Sequence, residues 1–252
     1  LALAVATLLF CKNKTSRIVS KLEIIPGIFN SSEILSYGLP TVFNKTLIIP
    51  FMGLPLLNAI ISYIATYIGL VPIIRHNISW AMPIFLSGYF ATGSIRGSVL
   101  QIILFAIDLA VYIPFAKRYD ESIEQSFKSD VKELTGILMD AENEVREIEL
   151  TTLPGRMGET ARSLSYDLKE AMKKRELFML YQAQYDKNNE YMGAEALLRW
   201  EHETCGFIYP PLIVKLAIEG GMLYDLEEFV FDETCYAIRI IRDHGGIPCK
   251  IS

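Results

Sequence analysis

The chain has 252 residues with 24 Lys and Arg, 29 Asp and Glu, a net charge of −5 and 51% hydrophobic residues. That length holds one large or two ordinary domains. A globally acidic chain argues against sequence-independent binding of a nucleic-acid polymer, which depends on neutralising phosphates. The charge is divided sharply: residues 1–118 carry nine basic side chains against three acidic ones, and the remainder is acidic by eleven. The cysteines, Cys11, Cys205, Cys235 and Cys249, include no C-x-x-C pair, so they read as free thiols in a reducing compartment rather than a metal or disulfide framework. The sequence begins at Leu1 rather than Met and ends inside an apparent strand, which reads as a fragment at both ends.

In chain order, Leu1–Phe10 is apolar but lacks a basic start and a cleavage site, so it reads as the end of a spanning helix and not as a signal peptide. Lys12, Lys14, Arg17 and Lys21 follow, a basic segment that the charge rule puts on the cytoplasmic side. A span is expected within Leu47–Ile74, bounded or interrupted by Pro50, Pro55 and Pro72. The clearest span is Ser98–Ala116, about one hydrocarbon thickness as helix, with Lys117 and Arg118 directly after it. Two crossings between two cytoplasmic ends form a consistent parity.

Two apolar but broken stretches remain, Ile24–Asn44 and Ser79–Thr92. Their Pro and Gly residues prevent a plain spanning helix, and non-helical backbone at membrane depth is tolerated only inside protein or against water. Such segments are where transporters commonly put substrate sites. Glu33 is the sole acid of the first, and an intramembrane carboxylate is a functional candidate by default; an exposed loop position is the alternative. Trp80 in the second suits either a sugar ring or an interfacial aromatic belt. Asp108 is expected to snorkel or pair inside a bundle.

Ile25-Pro-Gly-Ile-Phe-Asn-Ser-Ser-Glu33, Tyr37-Gly-Leu-Pro40, Asn58–Tyr63, Trp80-Ala-Met-Pro83, Ser87–Gly93 and Tyr112–Asp120 occur in that order. Together they resemble the last third of the membrane component, enzyme IIC, of lactose/cellobiose-type phosphotransferase sugar permeases. The resemblance implies that Glu33 and Trp80 contact a sugar such as a β-disaccharide. It also implies a phosphotransferase enzyme IIB as a partner. Ser32 and Ile34 stand where the family has Asn and Pro.

Ser122–Leu150 repeats Ile123, Phe127, Val131, Leu134, Leu138, Ala141, Val145 and Ile148 at helical spacing. The helix is expected to run on from the last span, to pair with a second copy as a short coiled coil, or to lie on its own domain. Pro154, Gly155 and Gly158 mark a boundary.

Beyond it, a helix over Leu164–Lys174, strands over Leu177–Tyr185 and Tyr191–Trp200, helices over Pro211–Gly220 and Leu226–His244, and a strand over Cys249–Ser252 alternate as in an α/β architecture. Glu195 within the second strand offers a hard oxygen to Mg²⁺ or Mn²⁺, and Arg199 offers a planar fork to phosphate. Gln182 can hydrogen-bond a base edge. Positions 195, 197 and 199 share one strand face. A purely structural Glu195–Arg199 ion pair beside a buried Trp200 is the competing reading.

Asp167–Arg175, Tyr181-Gln182, Gly193–Trp200 and Gly206–Pro210 resemble the start of an EAL domain, the phosphodiesterase that linearises cyclic di-GMP. The signature Glu195-Ala-Leu-Leu-Arg-Trp200 is intact. The resemblance implies Glu195 as a metal ligand, Arg199 on a phosphate, and Leu198 and Gln182 at the guanine. It puts the other metal ligands and the catalytic Lys beyond Ser252, so no catalytic residue is assigned.

The expected fold is multidomain: an all-α membrane bundle with re-entrant segments over 1–120, a helical linker over 121–158, and an incomplete α/β, TIM-like barrel over 159–252. The expected protein is a multi-pass bacterial inner-membrane device with its EAL part in the cytoplasm, hydrolysing cyclic di-GMP in response to sugar. A sugar transporter or sensor with an inactive, dinucleotide-binding EAL part is the alternative.

Overall fold

In the computed structural model, residues 1–39, 41, 44–174, 176–243 and 250–252 are described. They divide into two compact units, Leu1–Glu124 and Gln125–Ser252.

The first unit is helical: α1 (Ala2–Phe10), α2 (Lys14–Ile28), α3 (Glu33–Gly38), α4 (Ile48–Tyr67), α5 (Leu86–Thr92) and the first part of α6 (Ile95–Asn143). Ala2, Ala4, Ala6 and Thr7 are buried on α1, small side chains that let helices approach closely. α4 and α6 are long and apolar enough to cross a membrane, yet little of either apolar stretch is buried within the molecule. Exposed Leu56, Ile60, Ile64, Ile102 and Ile103 make these helices apolar toward their surroundings. That is the pattern of membrane spans rather than of a soluble core. α4 has 20 residues, roughly 30 Å of helix.

Some polar groups inside this unit pair between helices, while Thr7 Oγ1 and Ser20 Oγ are buried without a hydrogen-bond partner among the described residues. Asn58 on α4 donates through Nδ2 to both carboxylate oxygens of Asp108 on α6, at 3.0 Å each, so Asp108 pairs between helices. α5 meets α6 at two glycines. A Cβ on Gly88 would clash with the Gly97 backbone and one on Gly97 with the Gly88 carbonyl, so only glycine allows this crossing. Gln101 closes the contact, accepting from the Gly88 N–H at 2.8 Å and donating to Ser87 Oγ at 2.8 Å.

The second unit contains the end of α6, then α7 (Arg156–Lys174), β1 (Leu177–Tyr185), β2 (Tyr191–His202), β3 (Gly206–Phe207), α8 (Pro210–Glu219), α9 (Leu223–Asp243) and β4 (Lys250–Ile251). α6 is continuous through the start of the expected linker, so the helix does run on from the last span. It stops at Asn143 rather than Leu150, because Val145 takes a left-handed φ of 53° and is almost wholly exposed. The apolar spacing that carried the helix to Leu150 was coincidental beyond Ala141. Val131, Leu134 and Leu138 of α6 enter one core with Ala161, Leu164 and Leu168 of α7 and Leu212, Ile213 and Leu216 of α8. α7 begins eight residues before its expected start.

β1 and β2 form an antiparallel hairpin, with Leu177 opposite Trp200 and Gln182 opposite Glu195. Asp186 shapes the turn by accepting the N–H groups of Asn188 and Glu190 at 2.8 Å each, a local side-chain turn of the kind Asp favours. β4 pairs parallel to β2 through Gly193–Lys250 and Ala194–Ile251, after a crossover through α8 and α9 as parallel pairing requires. The sheet is mixed and has four strands among the described residues; a closed barrel is not present among them. The ends expected for the last helix at His244 and for the strand start at Cys249 lie outside the described residues, as do Pro40 and Arg175.

Candidate functional site

Strand alternation and helix packing give the hairpin two unlike faces. Leu177, Leu198 and Trp200 point into the core made with α7 and α8, and Trp200 is fully buried. Tyr181, on the same side, donates its hydroxyl to the Glu233 carbonyl of α9 at 3.2 Å. The helices thus cover one side of the sheet. The other side carries the cross-strand pairs Gln182–Glu195, Leu180–Leu197 and Phe178–Arg199. Gln182, Glu195 and Leu180 are exposed there.

On this face Glu195 accepts from Gln184 Nε2 at 3.4 Å. Arg199 donates to the carbonyl of Leu198 at 2.8 Å and makes no ion pair with Glu195. Four residues along a strand separate the two by roughly 13 Å, which explains why the expected ion pair does not form. A ligand of extended shape could touch both. Leu198 is not part of this face: it packs against the core under the helices, so Gln182, Glu195 and Arg199 share one sheet face and Leu198 lies behind it.

Strand alternation places two exposed carboxylates on this face, Glu195 and, six residues further along β2, Glu201. Among the described residues, no group of three or more His, Cys, Asp or Glu side chains could hold a metal. Glu195 and Glu201 lie roughly 20 Å apart along the strand, too far to share one metal ion, so the described residues alone do not fit a metal centre.

Two polar arrangements lie behind the site, one at the end of β2 and one at the end of α8. His202 accepts from the N–H groups of Thr204 and Cys205 through Nδ1, at 3.1 and 3.2 Å. The ring proton therefore sits on Nε2, which faces Asp167 Oδ2 at 3.4 Å. Glu219 at the end of α8 accepts from the N–H groups of Leu150 and Thr151 at 2.8 Å each and faces Lys215 at 3.4 Å. Burial pushes its carboxyl up, but these donors outweigh burial and hold it below the ordinary glutamate value. Glu219 thereby pins the segment after α6 to the fold. Sequence reading gave it no role, since nothing local distinguishes it from a surface acid.

In the first unit Glu33 opens α3 and is exposed, and Trp80 is exposed on a loop. Asn30 donates through Nδ2 to the carbonyls of Trp80 at 3.1 Å and Met82 at 2.9 Å. The Ile84 N–H also donates to the Ile28 carbonyl at 2.8 Å. The Trp80 loop is therefore stitched to the loop that leads into Glu33. A carboxylate that the sequence reading passed over supports the same place: Glu23 is fully buried and accepts the Leu35 N–H at 3.1 Å, holding the first turn of α3. Its signal was the polar stripe Ser16, Ser20, Glu23, Gly27 along α2. A cavity of about 170 Å³ lined by Ser32, Ser36, Asn58 and Asp108 lies nearby, smaller than the roughly 300 Å³ at which small-molecule sites begin.

Residues 165–252 match the model of the EAL domain family. The first half is 38% identical over 122 residues to the oligo-beta-mannoside-specific EIIC component of the phosphotransferase system of Bacillus subtilis (strain 168), covering 48% of this chain and 28% of that protein. It is 41% identical over 123 residues to the cellobiose-specific EIIC component of Geobacillus stearothermophilus, covering 48% and 27%. A solved structure described as PaMucR phosphodiesterase in complex with c-di-GMP is 37% identical, covering 35% of this chain and 36% of that one, with a TM-score of 0.33. The chain spans less than a third of the length of the curated permease relatives it matches.

A segment similar to phosphotransferase-system IIC components, joined to a segment that matches the EAL domain model, defines the class of this chain. More particularly, it is a fusion of a phosphotransferase-system IIC part, sugar-permease-like, with an EAL part, cyclic-di-GMP-phosphodiesterase-like.

Proposed function

We propose that this chain belongs to a multi-pass inner-membrane protein of bacteria, in which sugar bound by the IIC part regulates breakdown of cyclic di-GMP by a cytoplasmic EAL part. The observation that carries the dinucleotide reading is the helix-free sheet face bearing Gln182, Glu195 and Arg199 within an intact Glu195–Trp200 run. On this reading the Arg199 fork holds a phosphate, Gln182 meets a base edge, and Glu195 supplies one ligand of a Mg²⁺ or Mn²⁺ site. Leu198 acts from behind, fixing β2 against the helices. The sheet is read as part of a TIM-like barrel, whose chemistry gathers at the carboxyl ends of its strands. In the membrane part, Glu33 accepts sugar hydroxyls and Trp80 stacks on a ring of a β-disaccharide. The Asn30 bridge that joins their loops supports this pairing.

The test is linearisation of cyclic di-GMP by the protein reconstituted in bilayers with Mg²⁺ or Mn²⁺, with and without a β-disaccharide, beside Glu195→Ala. Hydrolysis that responds to sugar and is lost in the variant supports the reading; unchanged hydrolysis in Glu195→Ala overturns it. A second reading is a sugar sensor or transporter whose EAL part binds the dinucleotide without cleaving it, and it is favoured by the absence of a group of three metal-ligating side chains among the described residues. Binding without turnover would select it.

A further inference from the structure

We infer that α2, together with the cytoplasmic end of the α6 span, forms a docking surface for anionic phospholipid headgroups. α2 is 15 residues long, roughly 22 Å and too short to cross a bilayer. Its buried stripe is polar or small, Ser16, Ser20, Glu23 and Gly27, and packs toward α1 and α3. Its outward face inverts the pattern of a soluble helix. Ile18, Leu22 and Ile25 are exposed in one row, and Lys14, Arg17 and Lys21 are exposed in the row beside it. A basic row next to an apolar row is how a helix lies in a membrane interface, apolar side chains among acyl chains and cations among headgroups.

The fold enlarges this patch with residues distant in sequence. Asp120, buried at the end of the α6 span, accepts the N–H groups of Lys12 and Asn13 at 2.7 and 3.0 Å. Cys11 Sγ donates to the Ala116 carbonyl at 3.4 Å, and Lys117 Nζ lies 5.1 Å over the Phe10 ring. The α1–α2 junction is thus clamped to the level at which α6 leaves its apolar stretch, and Lys117 and Arg118, both exposed, join Lys12, Lys14, Arg17 and Lys21. The acids nearby do not cancel the patch: Asp120 is turned inward onto the two N–H groups, leaving exposed Glu121 and half-buried Glu124 against six basic side chains. The surface is cationic, borders lipid-facing side chains and lies at one level, so its complement is an anionic headgroup in the same leaflet.

The proposal rests on reading α4 and α6 as membrane-embedded. The experiment uses the full chain in detergent, followed by native mass spectrometry with phosphatidylglycerol or phosphatidylcholine of the same acyl chains. Parallel arms add inorganic phosphate as competitor, or use Lys14→Gln/Arg17→Gln/Lys21→Gln and the control Lys169→Gln/Lys187→Gln. All these positions are exposed, so folding is not at stake. The expected result is a preference for phosphatidylglycerol that falls about tenfold or more in the triple variant, since each basic residue near an anionic surface contributes measurably. It should be unchanged in the control and resistant to millimolar phosphate. Equal binding of the two lipids, an undiminished preference in the triple variant, or displacement by free phosphate would each overturn it, the last in favour of a phosphate or phosphoprotein site. A chain that stays monodisperse without detergent would overturn the membrane reading itself.

Discussion

At Arg199 the guanidinium bonds its own strand's carbonyl rather than a partner that stability depends on, so binding and folding separate there. Arg199→Lys is expected to weaken cyclic di-GMP affinity roughly tenfold, because a point charge cannot replace a planar fork, while the melting temperature stays within about a degree. Leu198→Ala, one residue away on the core side, should behave in reverse, costing about 2 kcal/mol of stability. Calorimetric binding and thermal melts of the two variants check this, and a Leu198→Ala protein with full stability would contradict the packing. Glu219 makes a pH-dependent prediction. Its carboxyl is held below the ordinary value, so the stabilisation is complete above the unfolded-state pKa near 4.5 and disappears as pH falls through the lower folded-state value. Glu219→Gln should therefore cost about 2 kcal/mol at neutral pH. The gap to the native protein should close on acidification below pH 4.5, as read by denaturant unfolding across pH.

Elements were legible to different degrees. β1 reads within its observed bounds because Leu177–Tyr185 is rich in β-formers and ends at an Asp-Lys-Asn-Asn turn. α7 starts earlier than its apolar stripe suggests because Gly158 and Thr160 lie buried in its first turns, and neither residue announces a helix. α6 shows the opposite error: Val145 and Ile148 keep the helical spacing, but the chain has already left the helix. β4 was expected as a strand, yet its parallel partner was invisible. It depends on Gly193, whose added Cβ would meet the Lys250 carbonyl. Gly193→Ala should release β4, and hydrogen exchange at the Ser252 and Ala196 amides, which bond Ala194 and Ser252 at 3.0 and 2.8 Å, should speed up by at least tenfold while β1–β2 protection holds.

For the whole molecule, α6 is one helix from the membrane span into the core of the EAL part. If sugar occupancy is read out through it, its phase matters. Inserting one residue between Asp120 and Phe127 turns the following helix by about 100°, and four residues by about 40° past a full turn. One inserted alanine should abolish the sugar response with basal hydrolysis retained, and four should restore part of it. An intact response with one insertion would show that coupling does not run through the helix.

The sequence by itself determined the two-part character of the chain, because charge partition and apolar run length are local quantities. It also determined that Glu195, Leu197 and Arg199 share a strand face, since alternation fixes side-chain direction. Only the tertiary structure decided which face is free. Helices α7, α8 and α9 cover the side of Leu198 and Trp200 and leave Gln182 and Glu195 exposed and Arg199 half-buried on the other, because burial depends on what packs against a strand. It likewise decided that Asn30 joins the Glu33 and Trp80 loops and that Asp120 gathers the basic side chains. Both are hydrogen bonds between residues 50 or more apart in sequence, a separation that no local pattern encodes.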